Sequence, residues 1–335
     1  MGSPLSRRDM LATAMAAAAA PALAAEPMQA VADYAASQNT TGFLIVQNGR
    51  ALIERNWPAA SGASAFQAYV HGKTASGALL EDVASQQKSF VAMLAAIAVD
   101  RGLLDVNAPV SDLIGAGWSR ASPEQEKAIQ VIHLLTMNSG LGETLDYQAP
   151  PGSTFLYNTP AYAVTKRVLA AIARQPLEAI TTEWMTGPAG MVDTAWRARP
   201  ASFGDVGNPT GLVTCPRDIA KLGQIILDGG LGASGARIVS KAGLQAMFSR
   251  TATNPSYGRL WWLNGGDHAV RAPARRTEGP LVPAAPADLV AALGFLDRKL
   301  YIAPSLKLVV VRTGPAAADK DFDQQLWLRL SRALA

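Results

Sequence analysis

The chain alternates between short apolar runs at its two ends and helix-spaced apolar positions in its middle. Thr41–Trp57 holds two apolar stretches around Asn48-Gly49. This dipeptide accepts the positive φ angles of a two-residue hairpin, so the segment predicts a pair of antiparallel strands. A Gly/Ser/Ala-rich connection follows around Ser61–Gly77. Between Ser85 and Arg101, apolar residues at 90, 91, 94, 97 and 98 predict a helix, with Gly102 as its stop. From about Asp105 to Ser249 the pattern is mostly helical, with Ile129–Leu135, Tyr162–Ala173 and Pro216–Leu227 as the best segments. Ser256–Asn264 reads as strand-like. Ala287–Leu296, Lys299–Ala303 and Lys307–Arg312 give three further strands, and Asp321–Leu334 closes the chain as an amphipathic helix. The fold class that follows is α/β (α+β): an antiparallel sheet built from both chain ends, flanked by helices, with a mostly helical lobe inserted over about 105–250. An active cleft is expected where lobe meets sheet.

Composition narrows the function classes. The 335 residues are 49% hydrophobic and 17% charged, a globular profile that excludes a disordered chain. The net charge of +4 is scattered rather than clustered, which argues against nucleic-acid partners. Cys215 is the only cysteine, so neither an intramolecular disulfide nor a cysteine-based metal cluster can form, and a small buried side chain is the expectation there. Ser6-Arg7-Arg8-Asp9-Met10-Leu11, the alanines that follow and Ala22-Leu23-Ala24 form a twin-arginine-type signal with a small-x-small cleavage site. Residues 1–24 are thus expected to direct export to the periplasm, leaving residues 25–335 as the working domain. An amphipathic N-terminal helix is the competing reading. The apolar run there is too short to span a bilayer, and no other run is longer, so no stable membrane anchor is expected.

The candidate chemistry starts at Ser85-Gln86-Gln87-Lys88, the only Ser-x-x-Lys in the chain. On a helix this spacing sets hydroxyl and amine on one face, within reach of a proton transfer, near free N–H groups that could hold an oxyanion. A serine there is also an ordinary helix cap. His71, His133 and His268 are too far apart in sequence for a His-x-x-x-His metal pair, and no Gly-x-Ser-x-Gly elbow occurs. No metal and no organic cofactor is expected. His133 reads as a structural histidine, and the adjacent Trp261 and Trp262 as core more than cleft.

Longer stretches around these residues carry a family likeness. Asp82-Val-Ala-Ser85-Gln-Gln-Lys88-Ser-Phe90, Ile97–Val110 and His133–Leu141 resemble the superfamily of class C β-lactamases, D,D-peptidases and serine esterases. So do Pro151-Gly-Ser-Thr-Phe-Leu-Tyr157-Asn-Thr159-Pro-Ala-Tyr162 and Gly211–Ala220 continuing to Gly230, in family order from about residue 40 to 315. The resemblance implies a β-lactamase/transpeptidase-like fold, with Ser85 as the nucleophile that is acylated and Lys88 and Tyr157 sharing the proton transfers. It also implies an oxyanion hole from the backbone N–H groups of Ser85 and Phe295, with Thr159 and Gly294 at the substrate. Gly294 also reads as a plain bulge glycine. Which of Lys88 and Tyr157 is the base depends on whether burial or a neighbouring charge dominates, and the sequence leaves that open.

Two departures from the family pattern stand out. Thr159 stands where the tyrosine motif usually has Asn, and Ala292-Leu293 stand before Gly294 where a Lys or His and a small polar residue are usual. The cation that would grip a carboxylate is absent from its place, although Arg298 or Lys299 could supply charge nearby. The expected activity is hydrolysis of a small-molecule ester or amide, as in esterases and nylon-oligomer-hydrolase-like members. The rivals are a β-lactamase or D,D-peptidase acting on cell-wall-like substrates, and an inactive penicillin-binding-like protein that only binds ligands.

Overall fold

The computed structural model describes residues 25–59, 64–200 and 207–335. Residues 1–24, where an export signal is expected, lie outside the described residues. The chain enters through helix α1 (Ala25–Ser37) and the hairpin β1 (Gly42–Gln47) and β2 (Arg50–Asn56). Asn48 and Gly49 take φ of 49° and 74°, the left-handed pair that a two-residue turn demands. Strands β3 (Val70–Lys73) and β4 (Leu79–Asp82) lead through a 3-10 turn, Ala84–Gln86, into helix α2 (Gln87–Asp100). Short helical turns then precede helix α3 (Thr159–Ala173), strands β5 (Ala195–Ala198) and β6 (Thr210–Thr214) and helix α4 (Pro216–Leu227). The chain finishes through β7 (Trp262–Leu263), β8 (His268–Arg271), β9 (Arg275–Glu278), β10 (Val290–Gly294), β11 (Arg298–Ala303), β12 (Leu308–Thr313) and helix α5 (Phe322–Ala333).

The main sheet has the order β2-β1-β12-β11-β10-β7, and all its pairings are antiparallel. Strands from the two chain ends therefore meet at its centre, with Leu44 opposite Val311 and Ile45 opposite Val310. Every residue of β11 and β12 is buried, which requires cover on both faces. The pleat shows how. Leu300 and Val309 meet α4 at Gly223, whose missing side chain lets the helix lie close, whereas Tyr301 turns the other way onto Trp327 of α5 with ring centroids 5.8 Å apart. Helix α1 joins α5 through the stacked rings of Tyr34 and Phe322. A second sheet, β3-β4-β6-β5, is assembled around β4 and ends where the turn to α2 begins. The mixed architecture with antiparallel sheets is the expected one.

Several local expectations are revised. The α-helical hydrogen bonding starts at Gln87, because Ala84 (φ 50°) and a 3-10 turn occupy the entry that was read as helix from Ser85. Within Ser256–Asn264 only Trp262–Leu263 is strand. The Gly258 N–H bonds the carbonyl of Trp261 and Leu260 takes a φ of 58°, so tight-turn geometry overrides the aromatic strand propensity. The strand expected over Ala287–Leu296 is confined to β10 by a turn in which Leu289 N–H bonds Pro286. The stretch 105–250 carries β5 and β6 besides helices, and its α4 packs on the main sheet. Gly102 stops α2 at a φ of 68°, as its place predicted. No helix among the described residues is long and apolar enough to cross a membrane.

Candidate active site

The site is built on the turn between β4 and α2. Asp82 ends β4, and its Oδ1 accepts the Ala84 N–H at 2.8 Å while Gln87 Nε2 donates to the Ala84 carbonyl at 3.0 Å. Held from both sides, Ala84 adopts a left-handed conformation unfavourable to a residue with a side chain. Ser85 follows it, half-buried, at the head of α2. Across from this turn runs the end of β10. A Cβ on Gly294 would fall 2.3 Å from the Val83 carbonyl oxygen and 3.3 Å from the Gln86 nitrogen. Gly294 is thus required for backbone to approach backbone, a firmer role than the bulge reading. The close approach joins Gly294, the neighbour of Phe295, to the turn that holds Ser85.

Lys88 lies one turn further along α2 and is only 2% exposed. Its Nζ donates to Ser85 Oγ at 3.1 Å and to Thr159 Oγ1 at 3.2 Å, and it sits 4.8 Å from the ring centroids of both Tyr157 and Tyr162. Thr159 therefore meets the lysine from the place where the family motif usually has Asn. Burial, with repulsion from Arg199 and Lys166, pushes the Lys88 ammonium down to about 7.

Tyr157 is set by its neighbours on three sides. Its N–H donates to Pro273 at the tip of the β8–β9 hairpin at 2.9 Å. Its ring stacks on Trp262 at 5.7 Å and meets Tyr257 edge-on at 6.2 Å, and its hydroxyl lies close enough to Ser85 to feel it. Burial pushes its phenol up to about 12, against the smaller lowering by Ser85. The next residue, Asn158, is buried and caps α3 by accepting the Ala161 N–H at 2.9 Å. It donates at 2.8 Å to the carbonyls of Leu141 and Gly142, which locks the tyrosine loop to the helical region. Ser85, Lys88, Tyr157 and Thr159 thus converge, with Gly294 and Phe295 on the strand side.

The end of β10 beside the serine carries no charged residue. Ala292 is fully buried, whereas Phe295 is 63% exposed beside Tyr69, with ring centroids 6.3 Å apart. Neither cation suggested as a substitute reaches the cleft. Arg298 is wholly buried against Glu81 at 3.2 Å and donates to the Phe295 carbonyl at 2.8 Å, while Lys299 binds Asp297 and Asp323 at 3.2 and 3.0 Å. Each turns to a carboxylate because a buried cation is costly without one. Trp261 and Trp262 are both buried, as expected, although Trp262 also backs Tyr157. His133 has a structural place: its Nδ1 accepts the Gln130 N–H at 3.1 Å.

Cys215 is buried. Its thiol lies with Asp193 and Asp218 in the one group among the described residues that could hold a metal ion, their ligating atoms all within 4.8 Å. The arrangement suits a metal poorly. Asp218 already binds Lys221 at 2.9 Å and Thr194 at 2.9 Å, and burial pushes the thiol up to about 11, far from the thiolate a metal needs.

Asp82, Gln87, Tyr162, Lys166 and Arg199 surround the site without having been singled out in the sequence. Asp82 and Gln87 lie within the Ser-x-x-Lys neighbourhood and could have been suspected from it. Arg199 carries no local signal at all.

A serine beside a buried lysine, at the junction of an antiparallel sheet and a largely helical region, is the plan of β-lactamase-like hydrolases. The Beta-lactamase family profile matches residues 22–294, most of the chain, and the protein belongs to that family. No curated protein matches it. Among solved structures, a provisionally assigned β-lactamase from Bacteroides dorei DSM 17855 superposes with a TM-score of 0.68 at 16% identity, covering 91% of this chain and 97% of that one. A family VIII carboxylesterase gives a TM-score of 0.65 at 16% identity, covering 92% and 97%. A provisionally assigned 6-aminohexanoate-dimer hydrolase from Bacillus anthracis gives 0.64 at 17% identity, covering 91% and 81%. At such identities the likeness is one of fold.

Proposed function

We propose that the protein hydrolyses a small ester or amide through an acyl-enzyme on Ser85, with Lys88 as general base and Tyr157 as a neutral proton donor. The observation that carries this reading is the 3.1 Å contact between Lys88 Nζ and Ser85 Oγ at an amine that burial pushes down to about 7. Once the amine loses a proton the same contact reverses, and the serine hydroxyl donates to the nitrogen lone pair. Burial acts oppositely on the phenol, which at about 12 stays protonated at neutral pH and fits a donor to the leaving group. The Ser85 oxygen attacks the substrate carbonyl, the leaving alcohol or amine departs with a proton, and water then releases the acyl group. The backbone N–H groups of Ser85 and Phe295 suit the developing oxyanion.

The uncharged end of β10 supports a substrate without a carboxylate near the scissile bond. Ala292 is buried, Arg298 and Lys299 are engaged by acids, and Phe295 offers an exposed ring. An ester with an apolar acyl or alcohol group fits these surroundings better than a β-lactam carboxylate does. Solved relatives of this fold include a carboxylesterase and a provisionally assigned 6-aminohexanoate-dimer hydrolase, so esters and amides are both within its reach. The twin-arginine-type pattern in residues 1–24 supports export to the periplasm as part of the same reading.

Intact-mass analysis after a fluorophosphonate probe tests the mechanism. One adduct on the wild type that vanishes in Ser85→Ala supports it, whereas equal labelling of both proteins overturns it. Turnover of a chromogenic cephalosporin far above that of p-nitrophenyl esters would replace the esterase reading by a β-lactamase. A protein without adduct or turnover would be the ligand-binding rival.

A further inference from the structure

A buried ion pair lies behind the nucleophile and has no part in the acyl transfer just described. Arg199, directly after β5, binds Asp82 at two points, Nε to Oδ2 at 2.8 Å and Nη2 to Oδ1 at 2.9 Å. Both side chains are nearly enclosed, 10% and 4% exposed. Gly211 on β6 makes the room: a Cβ there would fall 1.9 Å from Asp82 Oδ2 and 2.9 Å from Arg199 Nε. The same Asp82 Oδ1 accepts the Ala84 N–H, so the ion pair terminates on the left-handed residue that precedes Ser85. From Ala84 the bonding continues through Gln87 Nε2 to the Tyr162 hydroxyl, which donates to Gln87 Oε1 at 3.3 Å. Arg199 is thereby tied to both sides of the nucleophile turn.

We propose that Arg199 is a positioning residue whose two-point grip on Asp82 holds the turn that presents Ser85. Its charge, held behind that turn, also works against a second cation at Lys88. The proposal rests on the acyl-enzyme reading. Guanidinium suits both tasks, because its planar fork matches a carboxylate and it keeps its charge at any pH of interest. The groups facing Lys88 leave it little compensation. Its own helix offers Ser85, α3 offers Thr159 and the Tyr162 ring, and the preceding loop offers the Tyr157 ring. The Asp82 carboxylate is engaged by Arg199. The second repelling group, Lys166 of α3, lies 5.7 Å from the Tyr162 ring centroid, donates to Asn208 Oδ1 and to the Thr210 carbonyl and hydroxyl, and is itself pushed down to about 7 by burial and by Arg199. Repulsion from Arg199 ranks after burial and ahead of Lys166 among the influences that lower Lys88.

The test is the pH dependence of the fluorophosphonate labelling rate, read as adduct on the intact protein, for wild type, Arg199→Met, Arg199→Lys and Asp82→Asn. Arg199→Met should move the acid limb up by about one pH unit or more, so that labelling falls roughly tenfold on the acid side and recovers in alkali. Arg199→Lys retains the charge and loses the fork, so its limb should stay in place while its plateau drops. Asp82→Asn keeps the cation and removes its compensating carboxylate, so its limb should move down, again with a lowered plateau. A merely structural Arg199 would depress every plateau and leave every limb where the wild type has it, and that result overturns the proposal. Should Arg199→Met fail to fold, Asp82→Asn decides alone: a limb that moves down supports the proposal, and a limb that stays or moves up overturns it. Absence of a Ser85 adduct on the wild type would sink the acyl-enzyme reading, and this proposal with it. An adduct with unmoved limbs sinks the Arg199 proposal alone.

Discussion

The carbonyl oxygen of Val83 occupies the space in which a side chain on Gly294 would have to begin. That contact joins the turn before Ser85 to the end of β10, and it makes the strand's last residue a gauge of where the serine stands. Replacement of Gly294 by Ala would put a methyl group 2.3 Å from that oxygen, so one of the two backbones must move. Overpacking of this kind costs about 1–3 kcal/mol. Displacement of a reacting atom by about an ångström costs about a hundredfold in rate. The expected Gly294→Ala enzyme is folded, melts lower and loses about two orders of magnitude in kcat/KM. Near-wild-type turnover would mean that the approach is slack.

The depressed Lys88 ammonium sets a pH dependence for activity. With the amine at about 7, kcat/KM should rise through a single acid limb near that pH and level off above it. A limb in the carboxylate range, near pH 4–5, would point to another base. A pH–rate profile with a p-nitrophenyl ester decides between them.

The same group sets a pH dependence for stability. Lys88 titrates at about 7 when folded and near 10.5 when unfolded, so between these values the unfolded chain holds the extra proton. Stability then rises with pH across that window, and the burden of a buried cation is greatest below it. Lys88→Met should therefore melt higher than the wild type at pH 6, with the difference shrinking toward pH 10, even though activity is lost. Thermal melts at several pH values give the comparison, and a constant difference would contradict it.

Thr159 reaches Lys88 with its hydroxyl at 3.2 Å, and an isosteric Thr159→Val removes that partner and little else. A net hydrogen bond to a charged group is worth about 1.5–3 kcal/mol, which corresponds to roughly ten- to a hundredfold. The loss should appear in kcat more than in KM, because the contact orients the amine rather than the substrate. A change in KM alone would instead make Thr159 a substrate contact.

Asn158 binds one N–H and two carbonyls while buried, so Asn158→Ala leaves three groups in search of partners. A loss of about 2–4 kcal/mol is expected, in line with a lost cap and stranded carbonyls. Urea titration measures it, and a loss below about 1 kcal/mol would show that water replaces the side chain.

Features that rest on neighbours in sequence were legible before any coordinates. The Asn48-Gly49 hairpin, the Gly102 stop, the buried strands β11 and β12, and the partnership of Ser85 with Lys88 each follow from spacing over a few residues. Tyr157 and Thr159 became candidates through motif likeness, and the fold brings them to the same amine. What stayed hidden depends on partners distant in the chain. Ala84 is held left-handed by Asp82, itself held by Arg199 more than a hundred residues away. Arg298 and Lys299 looked available to the cleft because Glu81 and Asp323, which claim them, announce nothing in sequence. The proposed choice of lysine over tyrosine as base rests on the degree of enclosure of each, which spacing does not encode.

The central seam of the main sheet runs between β1, near the start of the described chain, and β12, near its end. A nascent polypeptide that has emerged only as far as residue 280 already holds serine, lysine and tyrosine, yet β1 lacks its inner neighbour and the nucleophile turn lacks β10. Assembly of the pocket must wait until β10 and β12 have left the ribosome. Loop closure over so long a contour is slow, which leaves the apolar middle of the chain uncovered for longest.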